Sequence, residues 1–584
     1  MSTHFIPDPS GRTSKKFLSL KTSIFYEKTF VFLTFFIIPL AVSSMMRDNF
    51  TVIKWKILHL FTAFALFQLF FVHKVLAFPS FKRSIGWTFL GIISLWIFEY
   101  FFHYIPLISE VTVDRMAFIV LTIFFYQLFK RSPETLDLIG YALIFSMGCF
   151  IFFTFYKRNL VWPDIMALSP FRHPDKVSLT FGNENMAAQF FGIAVIAVFR
   201  QIFIVPQFWF KLLCGFLFCI FMFFLVATSC RSVAIGTCLG TILYGVFKFP
   251  SFYQKRIVIG VFLACILASP FLFHLRASSA YHRLEMWKNA LTMAQDYPLG
   301  VGRGKFNFYH VLYQENTQIQ PRSENLVDRT PHNEFLKYLT EEGWIFVGLV
   351  FCLIFLFLRH YGWELLSLLK GNERTQFAIA FFALLLVEGM VQFPFEVAFT
   401  FLTIVMVLGY VLSLLPSREK FTWPLILSIP LFVFFSSAIA ALGIANLGNG
   451  CKAHTTLFPR LGCTIAPYEW RTCDRQGYNL VIQKEYSELV QHCLQQLIWR
   501  PYNFPVLFQL GYAYHQMGQM EQSCKIAWFY DRLFNHRSRL SSFLKHHCPK
   551  GHQGLLLNLS LKEHYRALFW DLPEDLRIAI TRNV

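Results

Sequence analysis

The polar interval 276–343 holds the residues with the clearest capacity for chemistry. It is rich in arginine and ends in Thr-Pro-His-Asn-Glu at 330–334. Thr330 is suited to cap a helix and Pro331 to occupy its first position, so a helix start is predicted here. The positive end of the helix dipole would keep the imidazole of His332 neutral, as a general base requires. The alternative is that His332 only packs at a helix end.

Two further residues could contact a charged or hydroxylated substrate. Asn333 follows the histidine and can hold a hydroxyl or a diphosphate oxygen. Arg231 stands in the short connection 228–232 between two apolar runs, which keeps its guanidinium at the membrane surface. Guanidinium matches phosphate oxygens, so a lipid headgroup is the expected partner. The alternative for Arg231 is a structural arginine satisfied by backbone carbonyls.

Basic residues and glycines fill the first part of the polar interval. Arg283 lies in a stretch with apolar residues at helical spacing, which predicts an amphipathic helix on the bilayer. Gly302 and Gly304 belong to three glycines at alternate positions that would let a ligand approach the backbone. The basic residues indicate a negatively charged partner, and they are Arg276, Arg283, Lys288, Arg303, Lys305, Arg322 and Arg329.

Polar residues elsewhere give weaker indications of function. Asn185 ends the sequence Phe-Gly-Asn-Glu-Asn, whose amides suit either sugar hydroxyls or a backbone turn. Glu99 and His103 lie near the outer end of an apolar run, where an ionisable group can be functional. The favoured alternative is that both side chains reach toward the headgroups.

A membrane domain must position these residues. Of the 584 residues, 55% are hydrophobic, 15% are charged and 72 are phenylalanine. An apolar run of about 17 to 25 residues is what a helix needs to cross a bilayer. About thirteen such runs precede residue 446, at 29–46, 57–73, 85–105, 111–129, 136–156, 186–204, 208–227, 232–249, 256–274, 344–359, 376–393, 397–415 and 424–445.

Charge and cysteine placement orient this domain. The net charge of +19 does not indicate nucleic acid, because the basic residues are spread through loops between spans. With a cytoplasmic N-terminus, every inner loop carries Lys or Arg, and an odd number of spans places the tail outside. An oxidising compartment would let cysteines of the tail pair, so at least one disulfide is predicted among Cys451, Cys463, Cys473, Cys493, Cys524 and Cys548.

Several motifs occur together within about 185–360. They are Arg231 in Thr-Ser-Cys-Arg-Ser, Arg283 followed by Trp287, Pro-Leu-Gly-Val-Gly-Arg-Gly-Lys-Phe ending at Phe306, and His332-Asn333 followed by Gly343. The set resembles the O-antigen ligase and polymerase superfamily. Ligases usually carry a small residue or tyrosine where this chain has Phe346, so the choice between ligase and polymerase stays open.

The resemblance implies a bacterial inner-membrane enzyme that transfers glycans from a polyprenyl-diphosphate carrier at the periplasmic face, without a cofactor. The acceptor would be lipid A core, another glycan or a protein. Arg231 and Arg283 would hold the diphosphate, and His332 would act on the acceptor hydroxyl. The predicted substrate-binding residues are Asn333, Arg303, Lys305, Gly302, Gly304, Asn185 and Arg276.

The tail is polar and contains a faint repeat. Gly477 and Gly511 are 34 residues apart, as are Trp470 and Phe504, and this is the tetratricopeptide period. A module of this kind would bind a protein partner or brace the membrane domain.

The sequence therefore predicts an all-α polytopic membrane protein with 12 or 13 spans, a large periplasmic loop and a C-terminal helical-repeat domain. Residues 1–28 would be a cytoplasmic segment, 29–445 the membrane domain with its periplasmic loop 275–343, and 446–584 an extracytoplasmic tetratricopeptide-like domain. The absence of Asp-x-Asp and Asp-x-Glu argues against the metal-dependent class of lipid-linked glycosyltransferases, so no metal site is predicted.

Two other classes of protein remain as alternatives. A secondary transporter would account for the many spans, the intramembrane acid Glu388 and the prolines within spans. A scaffold that presents the tail is the weaker alternative.

Overall fold

The computed structural model of the chain is almost entirely helical. It describes residues 12–42, 51–73, 75–79, 81–103, 109–157, 181, 183–228, 230–249, 277–316, 330–422, 425–450, 460–461, 463–464, 470–533, 546–548 and 560–581. The predicted span 256–274 and the candidate residue Arg276 lie outside these ranges.

Long apolar runs form the first group of helices. These are α1 Arg12–Leu40, α2 Thr51–Phe67 with a π-helical extension Gln68–His73, α3 Arg83–Phe102, α4 Glu110–Arg131, α5 Thr135–Lys157, α6 Glu184–Ile204, α7 Phe208–Ala227 and α8 Arg231–Lys248. Side-chain caps fix two of their starts, because Ser109 accepts a hydrogen bond from the amide of Thr112 and Asn183 accepts one from the amide of Asn185.

The polar interval and the remaining apolar runs form the second group. These are α9 Ala277–Asp296, α10 Phe306–His310 continued by a 3₁₀ turn Val311–Asn316, α11 Glu334–Gly371, α12 Glu373–Val391, a 3₁₀ turn Pro394–Glu396, α13 Ala398–Leu414 and α14 Leu425–Gly450. Two short strands, β1 Val75–Pro79 and β2 Ser417–Thr422, pair antiparallel beside the bundle.

Within the described residues, nine helices are long and apolar enough to cross a membrane, and two shorter apolar helices cover 398–414 and 428–444. The predicted all-α polytopic fold is therefore confirmed. Helix α1 begins at Arg12, inside the predicted cytoplasmic segment 1–28. Helix α11 begins at Glu334, so the last part of the predicted loop 275–343 is helical.

Ion pairs join helix termini at one end of the bundle. The Nε of Arg200, on α6, lies 2.6 Å from a carboxylate oxygen of Glu373 at the start of α12. Arg131, at the end of α4, donates to Glu27 of α1 over 2.9 Å. Helix α12 starts at this end, whereas α4 and α6 finish there. We call it the Arg200 end, and the opposite end, which carries residues 330–333, the His332 end.

Glycines set a close approach between α8 and α12. A Cβ on Gly240 would lie 2.6 Å from the carbonyl oxygen of Ala380, and one on Gly236 would lie 3.1 Å from that of Leu384. Small residues four apart allow helix backbones to meet in this way. The start of α8 is thereby fixed beside the end of α12.

The tail is a set of short helices with two disulfides. The bonds join Cys463 to Cys473 and Cys524 to Cys548, which confirms the prediction of at least one. The helices are α15 Trp470–Gln483, α16 Tyr486–Trp499, α17 Phe504–Gln516, α18 Met520–Leu533, α19 Leu561–Leu568 and α20 Glu574–Thr581.

The hydrophobic core has two main parts. The first fills the bundle between helices such as α4, α6, α12 and α13. The second joins α9, α10 and the start of α11 to the tail helices α15 to α20. The tail therefore packs on the segment formed by α9, α10 and the start of α11 instead of standing apart from the membrane domain.

Candidate functional site

His332 lies in a strained turn directly before α11. Its φ of 49° is in the left-handed region, which few non-glycine residues adopt. The indole Nε1 of Trp287, on α9, donates to the carbonyl of Pro331 over 2.8 Å. The His332 ring is half-buried and its centroid lies 5.1 Å from that of Phe393. Contacts from two other elements thus hold the imidazole in place.

The helix that follows starts differently from the prediction. Its N-cap is Asn333, whose Oδ1 accepts from the amide of Leu336 over 3.0 Å, so neither Thr330 nor Pro331 has the predicted role. The Nδ2 of Asn333 donates to the carbonyl of Met390 over 2.8 Å. Because both ends of its amide are engaged, Asn333 is placed to hold the turn of His332 more than to bind substrate.

The C-terminal end of α12 is the point at which the candidate residues meet. The last carbonyls of a helix have no partner within it and carry partial negative charge. Here Met390 accepts from Asn333, and Val391 accepts from the guanidinium of Arg283 over 3.2 Å. Phe393, just beyond, contacts the ring of His332. These contacts join residues that are 57, 61 and 108 positions apart in sequence at this helix end.

Arg231 and Arg283 lie near each other at this end. Arg231 is the first residue of α8. Burial lowers the pKa of Arg283, and the nearby charge of Arg231 lowers it further. Among the described residues, Arg283 has no carboxylate partner, and a backbone carbonyl accepts its hydrogen bond. A guanidinium without a carboxylate partner, close to a second guanidinium, favours an anion at this place.

The glycine segment, residues 300–304, approaches the backbone of α11. The amide of Gly302 donates to the carbonyl of Glu341 over 2.9 Å, and the amide of Trp344 donates to that of Pro298 over 3.0 Å. Helix α11 is kinked there, with a φ of 87° at Gly343. Gly302 is therefore in contact with the backbone of α11, and the approach of a ligand to Gly302 and Gly304 stays a prediction.

Lys305 and Gly304 share this segment. Gly304 also has a positive φ, of 75°. Lys305 is fully buried, and its Nζ donates to the carbonyl of His103 over 3.1 Å. Burial lowers the pKa of Lys305 to about 7, with a further lowering by the charge of Arg500. Burial, followed by the charge of Lys305, lowers the pKa of His103 to about 3.

Arg303 belongs to a buried network of charges. Its guanidinium lies 3.5 Å from a carboxylate oxygen of Glu341 and over the ring of Tyr338. The amide of Arg303 donates to Glu99 over 2.7 Å, and Glu99 also pairs with Arg115. Glu99 is buried, so the prediction that it reaches toward the headgroups is wrong. These contacts give Arg303 a structural role.

The predicted residue Asn185 lies in the first turn of α6, at the His332 end. The backbone amide of Asn185 donates to the side chain of the cap residue Asn183, as the turn interpretation predicted. The side chain of Asn185 is half-buried.

Sequence reasoning missed Gln392. This residue caps the end of α12, is 1% exposed, and donates to residues on either side of Arg231. Periodicity alone could not reveal it, because a polar residue after an apolar run is the ordinary sign of a helix end.

Comparison with known proteins agrees with this geometry. Residues 214–352 match the family described as O-antigen ligase. The matched stretch begins in α7, ends in α11 and includes Arg231, Arg283 and His332. Among curated proteins, none matches the chain. The match supports the predicted O-antigen ligase superfamily and a glycosyltransferase-like membrane enzyme.

Proposed function

We propose that this protein transfers a glycan from a polyprenyl-diphosphate carrier to an acceptor hydroxyl at the periplasmic face of a bacterial inner membrane. The observation that carries the proposal is the environment of Arg283. This half-buried guanidinium lies beside a second one and has no carboxylate partner among the described residues. A diphosphate supplies the charge and the oxygens that such a pair can bind.

The proposed reaction is a displacement at the anomeric carbon of the glycan. The acceptor oxygen bonds to that carbon while the bond from the carbon to the diphosphate oxygen breaks. The diphosphate leaves with the electron pair, and Arg231 and Arg283 stabilise its charge. The proton of the acceptor hydroxyl passes to the imidazole of His332. No step calls for a cofactor.

The distribution of charge supports the proposed orientation. Basic residues collect at the Arg200 end, where α4 finishes with Lys130 and Arg131 and where Arg374 pairs with Asp137 over 2.7 Å. Positive charge marks the cytoplasmic side, so the His332 end and the tail would be periplasmic. The two tail disulfides fit an oxidising compartment. Fusions of a periplasm-specific reporter at residue 460 should be active, and activity of a cytoplasm-specific reporter there would reverse the orientation.

The tail supports a further part of the proposal. Helices start at 470 and 504, and at 486 and 520, which is 34 residues in both cases. This spacing favours a tetratricopeptide-like module that braces the membrane domain or binds a protein partner.

Purified protein in liposomes, supplied with a polyprenyl-diphosphate oligosaccharide, tests the function. Glycan joined to lipid A core or to a protein would identify a ligase. Longer chains on the carrier would identify a polymerase, which is the alternative within the same superfamily.

One observation favours a secondary transporter instead. Glu388 is fully buried in α12, and its carboxyl oxygens have no hydrogen-bond partner among the described residues. Ionisable groups at membrane depth serve ion coupling in transporters. Ion-dependent movement of solute into the liposomes, with no new glycosidic bond, would replace the proposed transfer activity.

A further inference from the structure

A buried amide connects the two arginines of the candidate site. The Nε2 of Gln392 donates to the Sγ of Cys230 over 3.6 Å and to the Oγ of Ser232 over 3.3 Å. These two residues are the neighbours of Arg231 in sequence. Gln392 therefore holds the side chains on both sides of Arg231 against the end of α12.

The residue before Gln392 contacts the other arginine. The carbonyl of Val391 accepts the hydrogen bond from Arg283. Val391 and Gln392 are consecutive residues at the end of α12. Val391 binds Arg283 itself, and Gln392 binds the two residues beside Arg231. Since adjacent residues in a helix end keep a fixed geometry, the position of Arg231 relative to Arg283 depends on this junction.

The turn that carries Arg231 has its own short-range contacts. The amide of Cys230 donates to the Oγ1 of Thr228 over 3.3 Å, and this hydroxyl donates to the carbonyl of Leu225. These bonds shape the turn locally. The hydrogen bonds from Gln392 tie this turn to a different helix, α12.

We propose that Gln392 is a positioning residue that sets the spacing between Arg231 and Arg283 for the two phosphate groups of a diphosphate. The inference rests on the proposed function and adds to it the element that makes the anion site specific. A diphosphate presents oxygens on two linked phosphorus atoms, so two guanidinium forks at a fixed separation bind it better than two that move independently.

The test is binding of farnesyl diphosphate to the purified full-length protein, measured by calorimetry. Gln392→Met keeps the length of the side chain and removes both hydrogen bonds. We expect binding to weaken about 10-fold, the effect that a buried hydrogen bond can have. Gln376→Met is the matched control, because Gln376 is also buried on α12 and donates over 2.8 Å to the carbonyl of Leu369 at the Arg200 end.

A double-mutant comparison separates positioning from general destabilisation. Gln392→Met should weaken binding little further when Arg231→Ala is already present, because the amide acts through that arginine. An equal loss in both backgrounds would overturn the proposal, as would an equal loss with Gln376→Met or unchanged binding by Gln392→Met.

The proposed function can fail separately. If the unaltered protein binds farnesyl diphosphate and Gln392→Met weakens it, but no glycan is transferred, the positioning role stands and the transfer reaction falls. If the unaltered protein does not bind this diphosphate at all, both are overturned.

Discussion

Arg283 differs from the other enclosed arginines in its partners. Arg200 pairs with Asp137 and Glu373, and Arg303 faces Glu341. Such pairs offset the cost of removing a guanidinium from water. Arg283 instead bonds a carbonyl, so its charge remains available to a ligand. This contrast distinguishes Arg283 from the arginines that pair within the fold and supports its proposed role in binding substrate, which the sequence alone could not show.

Arg283→Lys should lower the rate of glycan transfer by roughly 10²-fold, the effect of losing one stabilising donor group. Lysine keeps the charge but lacks the planar fork that binds two oxygens. The measurement is single-turnover transfer by protein of matched folded amount. Arg374→Lys, at the Arg200 end, serves as the control and should retain activity. Full activity in Arg283→Lys would remove this residue from the anion site.

His332→Asn should abolish most transfer while the protein folds and inserts normally. Asparagine tolerates the positive φ of this position, whereas loss of a general base lowers rates by roughly 10²–10⁴-fold. His332→Lys and His332→Arg should not restore activity, since these side chains remain protonated. Transfer assays and thermal unfolding together separate catalysis from folding. Near-normal transfer by the asparagine variant would move the base to another residue, with Glu334 or Glu184 the next candidates.

At the scale of elements, the junction between the glycine segment and α11 determines where His332 lies. Gly343→Ala would force a Cβ to within 2.6 Å of the carbonyl oxygen of Pro298, at a φ of 87°. We expect a loss of about 1–3 kcal/mol or more in unfolding free energy, with lower activity. Gly348→Ala, on the same helix with no atom nearby, should have little effect on the melting temperature. Equal stability of the two variants would contradict this account of the kink.

The same junction should make stability depend on pH. The folded protein lowers the pKa of Lys305 to about 7. At a pH between this value and the ordinary pKa of a free lysine, Lys305 is neutral in the folded protein but protonated in the unfolded chain. Its contribution to stability therefore rises with pH in this range. Below pH 7 the folded protein must bury a charge. Lys305→Met should therefore gain most in melting temperature, relative to the unaltered protein, near pH 6 and less near pH 9. A pH-independent difference would contradict the lowered pKa, and Lys288→Met, at an exposed position, is the control.

The elements divide into those that hydropathy predicts and those that it does not. Long apolar runs gave the spans because a bilayer requires about 20 apolar residues. The predicted start of α11 was wrong because Asn333, and not Thr330, caps this helix. The Oδ1 of Asn333 accepts from Leu336 while its Nδ2 donates to the carbonyl of Met390, which fixes the side chain in the capping position. Contacts between distant helices decide such details. For the same reason the role of Gln392 could not be predicted from the sequence.

At the scale of the whole molecule, a cluster of aromatic rings in edge-to-face and tilted contact joins the tail to the membrane domain. The ring of Tyr309, on α10, lies 5.3 Å from that of Tyr297 and 5.5 Å from that of Tyr502 in the tail. Tyr502 in turn contacts Tyr565 at 4.4 Å. Lys562 adds a cation over the ring of Tyr297. The segment that the tail contacts is continuous with the glycine segment, so the tail stabilises the elements that position His332.

Tyr309→Ala should therefore loosen the tail and slow transfer, although Tyr309 lies outside the candidate site. Deleting a fully buried aromatic ring costs about 3–5 kcal/mol, and the ring lost here is the one between Tyr297 and Tyr502. Limited proteolysis should cut the tail faster in this variant, and the transfer rate should fall with it. Tyr478→Ala, which removes a tyrosine of the tail that is 51% exposed, should change neither. Faster cleavage with an unchanged transfer rate would mean that the tail docks without supporting the site, and it would leave the tail the separate role of binding a protein partner.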